Sequence, residues 1–277
     1  MIPKRGLGQC FLTDRRVAGR IVDALEPAPG DHVIEVGPGV CALTELLCGR
    51  AASVTAVEID RGLADIIAIT MGSHSNFKLI LADALNVAPA LLGAPGTNDW
   101  AFGIAHERAT VKFISNMPYG ISTQLMTRLF EEFTFVSKAV LTMQREVSDK
   151  LVAKPSDEAY CMLTVFANSF CRPERLFFVA PHCFTPQPGV ESAVMAFDAY
   201  KSPPVPTGDR AMFFKAVRAA FSNRRKTIEN NLISAGLAES RRAAEEAVAL
   251  AGIPAGRRGE SLGVTEFAAL ARALSNT

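Results

Sequence analysis

Between His32 and Val152 the chain alternates short β-favouring runs with stretches of helical character, and this alternation constrains its fold more than any other feature. The runs are His32–Val36, Val54–Val57, Phe77–Leu81, Val111–Ile114 and Lys138–Met143. Helices are expected around Leu43, Leu46 and Leu47, over about 62–71 and 122–133, and through Arg145 to Val152. Ahead of them, Thr13 or Asp14 can cap a helix carrying Val17, Ile21, Val22 and Leu25, which Pro27, Pro29 and Gly30 end. Strands alternating with helices predict an α/β architecture with a parallel, doubly wound sheet. Ligands of such sheets bind at the carboxyl edge of the strands. The polar residues that close each run are therefore the ones to read.

After Val152 the pattern changes. Leu163–Phe166, Arg175–Val179 and Ser192–Phe197 are strand-like and could extend the sheet in mixed fashion. Residues 86–109 read as a short helix and a long connection, and 202–208, rich in proline, as a linker. Beyond it the chain looks all-helical, at about 210–221, 225–235, 239–251 and 264–274. The expected division is a nucleotide-binding domain over 1–200 and a small helical domain over 201–277. The six cysteines (10, 41, 48, 161, 171, 183) include no C-x-x-C pair, so neither a metal site nor a disulfide framework is indicated, and a reducing, cytoplasmic setting is expected. No uninterrupted apolar run reaches the length of a membrane span, and Met1–Gly6 leads into no apolar signal region. The near-neutral net charge of +1 hides an asymmetry. From Lys201 onward 12 Lys and Arg face 7 Asp and Glu, whereas residues 1–200 hold 17 against 21. A basic end suggests a polyanionic partner; a solvated basic helical surface is the plainer alternative.

Glu35-Val36-Gly37-Pro38-Gly39 follows a strand and precedes a helix, where small residues let the backbone approach a nucleotide cofactor closely. Cys41 stands where a third glycine often does. Glu58 ends the second strand, where a carboxylate can accept from both ribose hydroxyls, and Asp83 ends the third, placed to meet an adenine amine. Either acid can also simply cap the next helix. These three features do not separate a nicotinamide cofactor from S-adenosylmethionine. Asn116-Met117-Pro118-Tyr119, at the end of the fourth strand, does. Adenine N6 is a poor nucleophile because its lone pair is delocalised into the ring. The Asn116 oxygen and the Met117 carbonyl can hold its N–H bonds, Pro118 stiffens the turn, and Tyr119 can stack on the base. Methylation of an amine needs such positioning, and hydride transfer does not.

This motif resembles that of adenine-N6 methyltransferases, and further segments resemble one family, the KsgA/Dim1 ribosomal RNA adenine dimethyltransferases. They are Gly8-Gln9-Cys10-Phe11-Leu12, Glu35–Gly39, Val57–Asp60, Gln144–Val147, Phe184–Val194 and Arg218–Thr227. The resemblance runs from about residue 4 to 270. It implies a class I S-adenosylmethionine-dependent methyltransferase core (Rossmann-like, mostly parallel doubly wound sheet) with a small all-helical C-terminal domain. It implies that Gln9, Cys10, Leu12, Gly37, Gly39, Glu58, Ile59, Asp83, Ala84 and Asn116 surround the cofactor. Phe184 would sandwich the target base against Tyr119. The implied substrate is a pair of adjacent adenines in a hairpin near the 3′ end of small-subunit rRNA, met as RNA or as an immature 30S particle by a monomeric enzyme. Cys10 departs from the family's usual Asn or His, Cys41 from glycine, and Gly120 from Asn or Ser.

Stem bases cannot reach a pocket, so RNA of this kind is read in loops whose bases splay and stack. Arg218, Arg224, Arg225 and Lys226 form a basic cluster suited to phosphates, although Arg224–Lys226 could instead close a helix end. Two rivals remain at this point. One is a large-subunit rRNA adenine methyltransferase of the macrolide-resistance type; the other is an RNA-binding assembly factor on the same scaffold. The Arg218–Thr227 segment argues against the first, and Asn116 with Tyr119 against the second.

Overall fold

The computed structural model describes residues 9–93, 110–202, 205 and 208–275. The expectations for Gly6–Gly8, for the connection over 94–109 and for most of the 202–208 linker lie outside these residues. The chain divides into two compact units, the first comprising 1–148 with 173–199 and the second 149–172 with 200–277.

The first unit is built on the expected alternation. Its elements begin with β1 (Phe11–Leu12), α1 (Arg15–Leu25), β2 (His32–Val36), α2 (Thr44–Cys48), β3 (Ser53–Glu58), α3 (Arg61–Met71) and β4 (Phe77–Leu81). They continue with β5 (Val111–Asn116), α4 (Ser122–Glu132), β6 (Val136–Gln144) and the first half of α5 (Arg145–Val152), and, after α6 (Met162–Phe170) of the second unit, with β7 (Cys171–Val179) from Pro173 onward, β8 (Phe184–Thr185) and β9 (Ser192–Ala199). Among the described residues a seven-stranded sheet has the order β4-β3-β2-β5-β6-β9-β7. The pairs from β4 through β6 are parallel, and β9 runs antiparallel to β6, giving the mixed extension. Every residue of β2 and β3 is buried, as expected of parallel strands covered by helices on both faces. Asp14 does cap α1, its carboxylate accepting from the Arg16 and Val17 N–H groups, and Ala18, Ile21, Val22 and Leu25 turn inward. Strand order reverses between β2 and β5, so the crevice outside their carboxyl ends is the fold's natural ligand site.

The second unit departs from expectation in two places. Leu163–Phe166, read as a strand, lies in helix α6. All four residues are buried, so this stretch of the helix has no exposed polar face and shows no helical period in the sequence. The expected boundary at residue 200 also moves. Residues 149–172 belong with α7 (Arg210–Phe221), α8 (Ile228–Ser234), α9 (Arg241–Leu250) and α10 (Val264–Ser275). The reason is aromatic packing. Phe166 meets Phe214 edge-on at 4.5 Å between centroids, and Phe170 stacks on Phe214 at 5.3 Å.

Candidate active site

At the switch point a pocket of about 290 Å³ opens within the first unit. Its walls come from the strand ends, with Val36, Gly37 and Gly39 after β2, Glu58 and Ile59 after β3, and Asp83 and Ala84 after β4. Asn116, Met117 and Pro118 after β5, with Gln9 and Cys10, complete it. Four neighbouring strand ends in the parallel part of the sheet therefore converge on one cavity.

The glycines are needed for their backbone. Gly37 and Gly39 have φ of +71° and +54°, in the left-handed region that side chains resist. A Cβ on Gly39 would come within 2.9 Å of the Phe11 ring. Cys41 has φ of +64° as well, which explains why glycine suits that position, yet here its side chain is buried. Burial pushes its thiol up to about 11, so it is uncharged at neutral pH.

Glu58 is held for acceptance. Its Oε1 takes the Asp60 N–H at 2.8 Å, and burial raises its pKa against the pull of the surrounding N–H groups. Asp83 does two things at once. Its oxygens accept from the Leu85 N–H and the Asn86 side chain, each at 2.8 Å, so it caps the following turn while lining the pocket. A carboxylate has about four lone-pair sites and can still accept from an amine. Glu35, behind the glycines, is buried with Oε2 unpartnered. Burial first, and the Glu58 charge in addition, push it up to about 7.

The fourth strand end is braced on three sides. Ser115 Oγ donates to the Val36 carbonyl at 2.7 Å, joining the ends of β5 and β2. The Met117 N–H donates to Thr142 of β6 at 3.0 Å. The Asn116 amide nitrogen donates to the Cys10 carbonyl at 2.9 Å, committing its NH2 and offering its oxygen to other donors. Tyr119, half-buried, meets the buried Ser192 hydroxyl at 2.8 Å through its own hydroxyl.

Three of the expected site residues are placed differently. Leu12 is in the core and Phe11 lines the pocket in its stead, because alternate residues of a strand face opposite sides. Phe184, expected as an open aromatic face, is 1% exposed in the core of the first unit. The cause is pairing of β1 with β8, which sets Leu12 opposite Phe184 and Phe11 opposite Thr185. Arg224, expected on phosphate, is engaged inside the second unit. Its guanidinium reaches the Glu260 carboxylate at 2.9 Å and the Glu158 carbonyl at 3.0 and 3.1 Å. Arg225 and Lys226 occupy the same exposed turn, and Arg218 lies over the Phe166 and Phe214 rings. The short turn they form is why α8 starts at Ile228 rather than at the expected 225. Phe11, Val57, Leu63 and Ile121 are among the wall residues that sequence reading did not assign, and of these Phe11 and Val57 lie in segments that carry the family resemblance.

The family profile described as ribosomal RNA adenine dimethylase matches residues 3–259. The chain belongs to that family. Among curated members, a protein of Geobacter metallireducens named ribosomal RNA small subunit methyltransferase A is 39% identical over 272 residues, covering 98% of this chain and 95% of its own. Its namesake from Pelotomaculum thermopropionicum is 40% identical over 270 residues, covering 97% and 90%. Solved structures agree on the class I methyltransferase fold. The 23S rRNA methyltransferase ErmE aligns over 96% of this chain and 99% of its own, with a TM-score of 0.65 and 26% identity. A dimethyladenosine transferase from Plasmodium falciparum aligns over 94% and 95%, with a TM-score of 0.72 and 20% identity. As a ribosomal RNA adenine dimethylase, the chain is an enzyme whose strand-end pocket now has a chemistry to be matched with.

Proposed function

We propose that this enzyme takes S-adenosylmethionine in the switch-point pocket and dimethylates N6 of two adjacent adenines near the 3′ end of small-subunit rRNA. The observation that carries this reading is the convergence of Glu58, Asp83 and Asn116 on one cavity floored by two left-handed glycines. Those residues fit the cofactor. A Cβ on Gly39 would crowd the Phe11 ring on the pocket wall, Glu58 suits a ribose diol, and Asp83 with exposed Ile59 suits an adenine amine and face. When bound, S-adenosylmethionine supplies an electrophilic methyl group.

The protein's own part is positioning. Asn116, its NH2 held by Cys10, presents its oxygen to a target N6–H, and the Met117 carbonyl can take the second. Both bonds turn the nitrogen lone pair out of conjugation and toward the methyl donor. Tyr119, steadied by Ser192, offers its ring to the base plane. Phe184 acts at one remove, anchoring β1 and so the Cys10 carbonyl. No strong base is needed, because the alkylated amine loses its proton readily. After one transfer a hydrogen remains on N6, so the pocket must let the base rotate or rebind.

The small subunit is favoured as substrate by the relatives at 39 and 40% identity, both named for it, against 26% for the 23S enzyme. Arg218, Arg225 and Lys226 supply cations for the phosphates, and the reducing cytoplasm suits six free thiols. The test is transfer of labelled methyl to immature 30S particles and to 23S RNA, with the modified bases mapped. Two adjacent dimethyladenosines in the small-subunit RNA are expected. Labelling of 23S RNA alone, or of neither, overturns the proposal.

A further inference from the structure

Outside the pocket, the first unit exposes an aromatic ring approached by two cations. Phe178, near the end of β7, is 40% exposed, and among the described residues it is the one aromatic in the set of exposed large hydrophobic side chains. The Arg145 guanidinium carbon lies 4.9 Å from its ring centroid, and that of Arg175 lies 5.1 Å away. Arg145 is fixed in place. Its backbone N–H donates to the Glu191 carbonyl at 3.0 Å and its guanidinium to the Glu191 carboxylate at 3.1 Å, while its side chain stays 57% exposed.

The position of this cluster is informative. Arg145 follows Gln144, the last residue of β6, and Gln144 pairs with Ser192. Ser192 is the residue whose hydroxyl meets Tyr119. The cluster is therefore linked, through Glu191 and Ser192, to Tyr119, whose ring the functional reading sets against the target base. An exposed aromatic ring with guanidinium groups lying over it suits an unpaired nucleotide, since bases stack on aromatic rings and on guanidinium planes alike and every nucleotide carries a phosphate. A flipped target leaves its neighbours unstacked, and an aromatic platform beside the pocket recovers that stacking.

We propose that Arg145, Phe178 and Arg175 form a second nucleotide site, which stacks an unpaired base near the target adenine and contacts its phosphates. This rests on the RNA methyltransferase reading above. The test is steady-state methyl transfer from labelled S-adenosylmethionine to immature small-subunit particles, using the full chain. Phe178→Ala is expected to raise KM for the particle about tenfold, with KM for the cofactor unmoved and Phe178→Trp restoring the original value. Joint Arg145→Gln and Arg175→Gln substitution is expected to flatten the salt dependence of particle binding. A particle KM within twofold of wild type in Phe178→Ala overturns the inference, as does an equal rise in both KM values. Wild-type enzyme that labels no rRNA overturns the functional reading, and the inference with it. Wild-type labelling with Phe178→Ala unaffected overturns the inference alone.

Discussion

The Asn116 side-chain nitrogen donates to the main-chain oxygen of Cys10 at 2.9 Å, across 106 positions of sequence. That bond joins the lead-in strand to the end of β5 and fixes which end of the amide is offered to a substrate. Because it uses backbone on the Cys10 side, it survives any side chain there that keeps the backbone in place.

The Cys10 side chain can therefore be changed without disturbing Asn116. Its thiol lines the pocket, is pushed up by burial and stays neutral, and a thiol is a weak hydrogen-bond partner. Cys10→Asn adds one good polar contact, expected to contribute about 1 kcal/mol, so titration calorimetry should find S-adenosylmethionine bound about fivefold more tightly. Unchanged affinity contradicts this.

Glu35 makes stability depend on pH. Its folded pKa is raised from 4.5 to about 7, chiefly by burial, so the folded state holds a proton that the unfolded chain has released between those values. Its contribution is full below about 4.5 and is lost as pH rises through about 7, on the order of 3 kcal/mol in total. Urea midpoints should fall between pH 5 and pH 8 in the wild type, and Glu35→Gln should flatten that slope.

Gly39 and Gly120 give a matched pair. A Cβ at Gly39 meets Phe11 at 2.9 Å on a backbone with φ of +54°, whereas one at Gly120 finds nothing within 4 Å. Gly39→Ala should cost about 1–3 kcal/mol and weaken cofactor binding by displacing Phe11 from the pocket wall. Gly120→Ala should melt within a degree or two of wild type. Thermal melts with and without S-adenosylmethionine check both.

The basic turn should divide its labour. Arg224 ties Glu158, Tyr160 and Glu260 together within the second unit, so Arg224→Ala should cost about 1–2 kcal/mol of stability. Joint Arg225→Ala and Lys226→Ala substitution should leave the melt unchanged and lower the salt dependence of RNA binding. Melting curves and binding at several salt concentrations separate the two effects.

The parts of this site that were legible in sequence are those whose signal is local. Glu58, Asp83 and Asn116 each close a strand, and a strand's end can be read from its own few residues. The placements of Phe184 and Arg224 could not be read from sequence because their partners are distant, Leu12 for one and Glu158, Tyr160 and Glu260 for the other. Helix α6 was misread for a different reason. Burial of Leu163, Thr164, Val165 and Phe166 on every side removed the polar face that would have shown its period. The Cys10–Asn116 bond left no trace in sequence at all, since a main-chain carbonyl belongs to every residue.

The most direct measurement is single-turnover methyl transfer by Asn116→Ala, with wild type alongside, on immature small-subunit particles at saturating cofactor. If Asn116 orients adenine N6, the transfer rate falls about a hundredfold or more, while S-adenosylmethionine and particle affinities stay within about threefold. A rate close to wild type, or a loss wholly explained by weaker cofactor binding, contradicts that role.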